Sequence, residues 1–332
     1  MALRGSIVSL EPLVVMSSIR EPYYAGIAQV FPALFANTPS LHLLSPSWSI
    51  LDNMAALRNT LVEARKALPR AQFVVVANEE AEELELKLAG IPSIPGTATM
   101  FIDETVFDVL PGTDQRFEAL YNATLRPFKN HQLCQDIGNL ALIYYLWATD
   151  TQSLQYVDTI RQSLAHATWL NDAPDGSYRR LSAREVARAN NESAVGLCLS
   201  HKEGAMRAAM EFLLCGTPIV SVPSIGGRQR YFTPLNSVIA EADPVRVAAA
   251  VREFALRNTA RQDIRNETLS VLRFERKSFL TSANYLVRKL TGKADAFADF
   301  SAFNAVMTYR TWEAWVEYFA AKLNHPVPRP QT

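Results

Sequence analysis

The segment at residues 195–222, VGLCLSHKEGAMRAAMEFLLCGTPIVSV, constrains the fold more than any other part of the sequence. VGLCLS has the length and apolar content of a buried parallel strand, and a predicted helix begins at Gly204 after a very short turn. Cys215 and Gly216 end this helix, because glycine favours the left-handed position just past a helix terminus, and Pro218 opens the next strand. The segment therefore predicts a strand, helix, strand unit, with the amino terminus of the helix at the carboxyl edge of a parallel sheet.

Two glutamates interrupt this apolar segment. Glu203 precedes the predicted helix, and Glu211 lies about two turns along it at ~1.5 Å rise per residue. A buried carboxylate is costly unless something binds it, and the free N–H groups of a helix amino terminus favour an anion such as phosphate. The alternative is structural: Glu211 would pair with Arg207 at i, i+4 spacing, and Glu203 would be a first-turn acid that complements the helix dipole.

The composition is that of an ordinary globular protein. The 332 residues are 48% hydrophobic and 20% charged, which is enough chain for two domains. We expect no secretory leader, because Glu11 and Pro12 interrupt the apolar pieces of the first 24 residues, and no transmembrane segment, because no run reaches about 18 apolar residues. The three separated cysteines, Cys134, Cys198 and Cys215, are typical of buried thiols rather than of a disulfide framework or a metal site. We therefore expect a reducing, cytoplasmic location.

The net charge is zero but is unevenly distributed. Residues 1–114 carry 7 lysines and arginines against 13 aspartates and glutamates, whereas the remainder carries 26 against 20. The positive excess of the second part suits an anionic ligand there, although a solvated surface would also account for it. Nucleic acid is not an expected partner at this overall charge.

Short β-rich runs alternate with segments of helical periodicity, which predicts parallel α/β sheets. Pro111 and Gly112 separate two such alternations. Strands are predicted at 6–10, 40–44, 71–78, 117–124, 167–171, 194–200 and 218–222. Helices are predicted at 54–68, 79–90, 131–150, 153–164 and 182–191, from 204 onward and at 301–323. Two α/β sheets in tandem follow from this order.

The segment KEGAMRAAMEFLLCGTPIVSVPSIGG resembles the nucleotide-sugar signature of the family 4 glycosyltransferases (glycosyl transferases group 1). The shared features are two glutamates separated by seven residues, EG where the helix opens, CGTPIVS where it closes and GG in the next loop. The likeness covers about residues 115–255. It implies the α/β GT-B fold, in which two Rossmann-like domains face a cleft.

By this resemblance, residues 1–114 form a reduced acceptor-side domain and residues 115–294 form the domain that binds a nucleoside diphosphate sugar. Residues 295–332 would hold a C-terminal helix that packs back on the first domain. The first domain departs from the family because SSIREPYYAG stands where a glycine-rich loop is usual. Gly26 is the only glycine of that stretch.

The resemblance also assigns roles to residues around the helix. Glu203 would approach the hydroxyls of the donor sugar, and Glu211 would bind the ribose. The backbone of Gly204, Ala205 and Met206 would approach the sugar or the phosphates. A nucleoside diphosphate sugar is extended, rich in hydroxyls and doubly anionic, so it would occupy both carboxylates and the helix terminus together.

Further candidates are implied outside the helix. Arg126 and Lys129 would neutralise the diphosphate as negative charge develops on it, unless they are exposed loop cations. Leu170 and Asn171, at the end of the strand ATWLN, would lie beside the base. His42 is the available first-domain histidine for a catalytic role, and the alternative is a core histidine next to an apolar strand. Of the others, His131 is expected to cap a helix start and His201 to lie in a loop near the site.

The function implied by the resemblance is a hexosyltransferase that moves a sugar from a UDP- or GDP-type donor to an acceptor hydroxyl, with retention and without a metal or other cofactor. The acceptor stays open: a glycan, a lipid-linked glycan, a small molecule or a protein. Two alternatives remain, a nucleotide-sugar epimerase on the same fold and a non-catalytic nucleotide-sugar binding protein.

Overall fold

The structure, a computed structural model, describes residues 2–146, 151–257, 259–292, 296–304 and 308–323. The chain forms two compact units: unit 1 is Met1–Phe101 with Arg273–Thr332, and unit 2 is Ile102–Leu272. Within the described ranges, no helix is both long and apolar enough to cross a membrane.

The secondary structure alternates as expected for an α/β protein. The strands are Ala2–Leu10 (β1), Leu13–Ile19 (β2), Ser40–Pro46 (β3), Ala71–Ala77 (β4), Ser93–Pro95 (β5), Phe117–Thr124 (β6), Leu140–Tyr145 (β7), Thr168–Trp169 (β8), Ser193–Cys198 (β9), Ile219–Ser221 (β10), Ser237–Ile239 (β11) and Tyr309–Thr311 (β12). The helices are Ile27–Val30 (α1), Met54–Ala67 (α2), Glu80–Leu88 (α3), Thr151–Ser163 (α4), Ala183–Asn191 (α5), Arg207–Leu214 (α6), Pro244–Leu256 (α7), Arg261–Thr291 (α8) and Trp312–Leu323 (α9).

Unit 1 is built on a six-stranded sheet with the order β12-β1-β2-β3-β4-β5. Strands β2 to β5 are parallel, whereas β1 is antiparallel to both of its neighbours. One face of the sheet is covered by α1, α2, α3 and α9, whose apolar side chains share a core with it. On α2 and α9 these side chains recur four residues apart, at Leu57 and Leu61 and at Trp315 and Phe319, which places each pair on one helix face.

Unit 2 is a fully parallel six-stranded sheet with the order β11-β10-β9-β6-β7-β8. The chain runs outward from the central pair β6 and β9 in both directions, which is the doubly wound order of a Rossmann fold. Central parallel strands are covered on both faces, and VGLCL and ALYNA are accordingly buried almost throughout. Both units are therefore α/β, as the sequence predicts.

The structure corrects one helix prediction in unit 2 and confirms another. The predicted helix at 131–150 is wrong: a 3-10 helix at His131–Cys134 is followed by strand β7, and residues 147–150 lie outside the described ranges. LALIYY is a short run of apolar and aromatic residues that suits a buried strand as well as a helix, and the turn at Gln135 and Asp136 separates it from the 3-10 helix. The predicted helix at 153–164 is confirmed as α4.

The C-terminal helix also begins later than predicted. Phe300–Phe303 is a 3-10 helix, Tyr309–Thr311 pairs with β1 as β12, and α9 begins only at Trp312; residues 305–307 lie outside the described ranges. Helix α9 packs into the core of unit 1. The domain limits at 114 and 294 remain predictions, because compact units mark where contacts concentrate and do not test which segments fold alone.

Candidate functional site

The carboxyl edge of the unit 2 sheet has a topological switch point between β6 and β9, where the two halves of the doubly wound order meet. In open α/β sheets, ligands bind outside the carboxyl ends of the strands at such a point. The segments that follow β6 and β9 there are residues 125–131 and 199–206, and they carry Lys129 and Glu203. The topology alone therefore brings two predicted site residues to one place.

The segment after β6 is fixed by hydrogen bonds to its own strand and to β9. A short 3-10 helix, Pro127–Lys129, ends at Asn130, whose φ of 54° lies in the left-handed region that asparagine tolerates. The Asn130 side-chain amide donates to the Leu199 carbonyl at 2.9 Å, and the Tyr121 hydroxyl donates to the Lys129 carbonyl at 2.5 Å. The backbone of Lys129 is thus held against the end of β9.

Lys129 and Glu203 form a buried ion pair, with the residues 8% and 5% exposed. The Ser200 hydroxyl donates to the same carboxylate. Arg228, only 1% exposed, donates to the carbonyl and hydroxyl oxygens of Ser200 at 2.9 and 3.0 Å and to the Val222 carbonyl at 2.8 Å. Two cations and one carboxylate therefore share a buried network, and the excess positive charge favours an anionic ligand nearby.

The GG loop after β10 packs directly on the backbone of Glu203. The Glu203 N–H donates to the Ile225 carbonyl at 2.9 Å, and the Ile225 N–H donates to the His201 carbonyl at 3.0 Å. Gly226 has a φ of 110°, and a β-carbon there would lie 1.6 Å from the Glu203 carbonyl oxygen. Only glycine fits this position, so the GG of the sequence motif has a structural reason: it allows the loop to hold Glu203 in place.

Helix α6 begins at Arg207, three residues later than predicted, with Met206 as its N-cap. Gly204 and Ala205 therefore lie in the loop before the helix, and Glu203 is not a first-turn acid. No side chain among the described residues caps the α6 amino terminus, which leaves its N–H groups able to bond an external acceptor.

A close approach between strand and helix positions α6. A β-carbon on Gly196 of β9 would lie 2.4 Å from the ring of Phe212, so the ring packs on the strand backbone. Because α6 follows β9 at this distance, its amino terminus points to the carboxyl edge of the sheet, on the side where Glu203 lies.

Glu211 lies in the second turn of α6, with its side chain 13% exposed. The Arg207 Nη2 atom is 3.8 Å from its carboxylate, so the pair expected from the i, i+4 spacing is present but long. Burial raises the pKa of Glu211, and the charge of Arg207 offsets only part of that rise. Tyr145, at the end of β7, is near enough that burial and then the Glu211 charge raise its pKa to about 12. Glu211 is thus a mostly buried carboxyl group whose burial cost Arg207 offsets only in part, and its oxygens can accept hydrogen bonds from hydroxyl groups.

The other predicted donor-site residues do not join the network. Arg126 is half-buried at the start of the 3-10 helix, and its side chain forms no ion pair with any described residue. Asn171 is fully buried: its side-chain oxygen accepts from the Tyr144 N–H at 2.7 Å, and its amide donates to the Arg179 carbonyl at 2.9 Å. Leu170 is half-buried beside it. The roles given to these three residues stay predictions.

Of the three candidate histidines, His42 and His131 are buried against aromatic rings, and His201 is exposed. His42, 1% exposed, stacks on Phe73 at 5.0 Å and meets the edge of Phe35 at 4.7 Å, and burial lowers its pKa to about 3. It lies where the core alternative places it, and no contact supports the catalytic one.

His131 does not cap a long helix; it is buried against Tyr121 in a 3-10 helix, and burial followed by the charge of Lys129 lowers its pKa to about 3. His201 is an exposed loop residue next to the site.

Arg228, Ser200 and Asn130 were not predicted from sequence as site residues. Arg228 directly follows the GG pair and Ser200 ends the apolar strand run, so adjacency to the motif is the signal that marks them. The burial of Arg228 and Ser200 and the hydrogen bond of Asn130 to the Leu199 carbonyl give these residues a role, and both depend on tertiary contacts that a single sequence does not specify. In the part of the chain that the structure describes, no group of three or more His, Cys, Asp or Glu side chains could hold a metal ion.

No protein-family model matches this chain, and no curated protein matches it in sequence. Solved structures match it in fold. Sucrose-phosphate synthase from Thermosynechococcus elongatus aligns with a TM-score of 0.56 at 15% identity, over 77% of this chain and 69% of its own. The Anabaena protein HepE in complex with UDP aligns with a TM-score of 0.56 at 14% identity, over 79% and 74%. The pneumococcal O-GlcNAc transferase GtfA in complex with UDP and GlcNAc aligns with a TM-score of 0.52 at 12% identity, over 79% and 59%.

Identities this low establish the fold alone. The chain has the fold of GT-B glycosyltransferases, and the predicted fold class is confirmed.

Proposed function

We propose that this protein is a glycosyltransferase that moves a hexose from a nucleoside diphosphate sugar to an acceptor hydroxyl. The observation that carries the proposal is the convergence at the unit 2 switch point. Lys129, Glu203 and the uncapped amino terminus of α6 meet there, and Glu211 follows in the second turn of α6. A Rossmann-like switch point alone would suit many ligands, but a buried cation, a helix terminus and two separated carboxylates suit an extended, anionic, hydroxyl-rich one.

In this proposal each group meets a different part of the donor. The diphosphate lies at the α6 amino terminus, where the N–H groups of the first turn and the loop amides of Gly204, Ala205 and Met206 can donate to it. Lys129 supplies a fixed positive charge where the leaving group becomes more anionic. Glu203 accepts from hydroxyls of the donor sugar, and Glu211 accepts from those of the ribose. Arg126, beside this loop, adds a second charge to the diphosphate.

Lys129 and Glu203 are paired in the structure, so the donor would have to share them. The carboxylate and the ammonium hold each other in position, and each is a group that forms more than one hydrogen bond. The pair is then a pre-oriented acceptor and donor, directed at a hydroxyl and at a phosphate oxygen respectively. Arg228 keeps the network positive behind them.

Retention of configuration and independence from metal belong to the same proposal. In this proposal Lys129, Arg228 and the helix terminus supply positive charge near the diphosphate. They would stabilise the charge that develops on the leaving group, as a divalent cation does in metal-dependent enzymes. The likeness of the sequence motif to that of retaining enzymes favours retention. UDP is the first nucleotide to test, because the fold neighbours HepE and GtfA were solved with it.

Calorimetric titration of the whole chain with UDP, GDP, ADP and TDP and with their glucose conjugates tests the donor site. We expect one nucleotide to bind, and Glu211→Gln to weaken that binding about tenfold, since a hydrogen bond to a charged group contributes ~1.5 kcal/mol. Glu253→Gln is the matched control, because Glu253 also pairs with an arginine at i, i+4 on a helix but is solvent-exposed. The proposal fails if no nucleotide binds, or if both variants bind alike.

Turnover separates the remaining alternatives. A transferase releases free nucleoside diphosphate only when an acceptor is added, whereas an epimerase converts the donor sugar without releasing it. A non-catalytic binding protein would show the Glu211-dependent binding but no turnover with glycan, lipid-linked, small-molecule or protein acceptors. Quantifying UDP and UDP-sugar isomers by chromatography with each acceptor class distinguishes the three.

A further inference from the structure

A cavity of about 240 Å³ opens at the carboxyl edge of the unit 1 sheet, between the loops that follow β2 and β3. Its lining residues come entirely from unit 1, and they are Ile19, Arg20, Glu21, Tyr24, Trp48, Ser49, Ile50 and Asn53. The carboxyl ends of parallel strands are where open α/β sheets bind ligands. This cavity holds none of the residues assigned above to the donor.

The chemistry of the lining is aromatic and polar together. Trp48, which is half-buried, offers a flat apolar ring, and Tyr24 closes the wall beside it as a buried ring of the unit 1 core, while Glu21, Ser49 and Asn53 offer hydrogen-bonding groups. Arg20 and Glu21 are the charged lining residues, and their charges cancel. The cavity is smaller than the ~300 Å³ at which drug-sized sites begin, so it suits a single ring. A ring with apolar C–H faces and hydroxyls at its edge, and no net charge, fits these features.

The loop after β3 is built into place by a buried carboxylate. Glu82 is fully buried in the first turn of α3, and its two oxygens accept from the N–H groups of Ile50 at 3.0 Å and Asn78 at 2.9 Å. The Ser47 N–H donates to the Ile19 carbonyl at 3.0 Å, which joins the two loops. Burying a carboxylate is costly. Its use here indicates that a fixed position of this loop matters, as it does where a loop carries a binding site.

The loop after β2 is also held tightly. Gly26 has a φ of 61°, and a β-carbon there would lie 2.5 Å from the Ser17 β-carbon. The Gln29 side chain accepts from the Ala25 N–H at 3.1 Å and donates to the Pro22 carbonyl at 3.0 Å. Burial and then the Glu21 charge raise the pKa of Tyr24, which agrees with a carboxylate near its ring. Both walls of the cavity are therefore pre-formed.

We propose that this cavity binds one neutral, hydroxylated ring of the acceptor, with Trp48 against its C–H face and Glu21 and Asn53 bonded to its hydroxyls. This inference rests on the proposed function and narrows its acceptor to molecules that present a neutral sugar ring. Glu21 and Trp48 are the residues that select it.

The test follows the indole N–H signals of the whole protein by NMR after tryptophan labelling, with the Trp48 signal assigned through Trp48→Phe. The probes are D-glucose, D-galactose, D-mannose and N-acetylglucosamine, with glucose 6-phosphate as a charged comparison. We expect at least one neutral sugar to shift the Trp48 signal, and Glu21→Gln to weaken its binding about tenfold, as for loss of a hydrogen bond to a charged group. Glu80→Gln is the control, because Glu80 is exposed on α3 and does not line the cavity.

Each result has a definite consequence. If no neutral sugar shifts the Trp48 signal, or if glucose 6-phosphate binds more tightly than glucose, the inference is overturned. A UDP titration of the same sample keeps the two proposals apart. UDP binding without sugar binding at Trp48 overturns the acceptor assignment and leaves the donor site standing. Sugar binding at Trp48 without binding of any nucleotide supports the cavity assignment and overturns the donor site.

Discussion

At the scale of single residues, the candidate site depends on buried charges whose partners come from distant parts of the sequence. Glu203 is paired with Lys129 across 74 positions, and Arg228 reaches the same network from the next loop. Such a pair contributes little net stability over an apolar core, because desolvation offsets the attraction between the charges. Removing one partner of the pair is strongly destabilising, because the other charge is then left buried without a counter-charge.

Glu203→Gln therefore tests whether the pair is as buried as it is in the structure. We expect a loss of about 3 kcal/mol in the free energy of unfolding, because the Lys129 charge stays buried without its counter-charge. Glu63→Gln removes one partner of the exposed Glu63–Lys66 pair and should change stability hardly at all. Urea unfolding of both variants measures the contrast, and equal small effects would mean that water reaches Lys129.

Glu211→Gln should have the opposite effect on stability. The folded-state pKa of Glu211 is raised above its ordinary value of 4.5, so the wild type loses stability as the pH rises through the raised pKa and the carboxyl ionises. The glutamine variant does not ionise. At pH 7 it should be more stable than the wild type, on the order of 1 kcal/mol, a usual size for stabilising substitutions at functional sites.

The stability difference between Glu211→Gln and the wild type should disappear below about pH 4.5, where the carboxyl is protonated in both folded and unfolded states. Thermal or urea unfolding between pH 4 and 8 measures it. A variant that is less stable than the wild type at pH 7 would show that the 3.8 Å pair with Arg207 outweighs the cost of burial.

At the scale of elements, the sequence predicts most where local and tertiary preferences agree. The β9, α6, β10 unit combines a buried strand pattern, a terminating glycine and a strand-opening proline, and the structure reproduces it apart from the helix start at Arg207. The Lys129–Glu203 contact followed from topology only after the strand order was known. The burial of Arg228 and Asn171 could not be predicted, because it is decided by loops that fold over them.

Strand β7 shows the limit of periodicity. LALIYY is apolar at every position, so a pattern alone does not distinguish a buried strand from a buried helix, and it was predicted as part of the helix at 131–150. Strand β2 was likewise not predicted, although LVVMSSI is rich in β-branched and apolar residues and follows directly on Glu11 and Pro12. Those residues form the turn of the β1–β2 hairpin.

The contact between the loops after β9 and β10 carries a prediction at this scale. Gly226→Ala would place a methyl group 1.6 Å from the Glu203 carbonyl oxygen at a φ of 110°, so one loop must move. We expect a loss of about 3 kcal/mol in stability, with nucleotide binding lost as well. Gly176→Ala is the control: its φ is also positive, at 78°, but nothing lies within 4 Å, so it should cost only ~1 kcal/mol. Urea unfolding and UDP titration of both variants measure the difference. Similar losses of stability in the two variants would mean that the positive φ, and not the contact with Glu203, sets the cost.

At the scale of the whole molecule, the two units differ in how the chain builds them. Unit 2 is one continuous segment, Ile102–Leu272, whereas unit 1 needs both ends of the chain, with Ala2 paired to Thr311. Closing a longer loop costs more conformational entropy and slows the contacts that depend on it. Unit 2 should therefore acquire its sheet before β12 joins β1.

Pulse-labelling hydrogen exchange during refolding measures this order. We expect amides of β6 and β9 to be protected before those of β12 and of the first residues of β1. The β1–β2 hairpin is local, so the remaining residues of β1 are not expected to separate from unit 2 as clearly. Protection of β12 at the same time as β6 and β9 would contradict the expectation.

Strand β12 also decides what the edge of the unit 1 sheet offers to other molecules. An unpaired sheet edge is a template on which another chain can add a strand, and natural proteins keep such edges short or covered. Here Ala2 to Arg4 pair with β12, and the Gly5 carbonyl accepts from Arg310 at 2.6 Å. Three residues near the end of the described chain thus occupy bonds that would otherwise be open to a second copy. A chain that stopped before Tyr309 would present that edge for self-association, with apolar core surface exposed beside it by the loss of Trp312, Trp315 and Phe319.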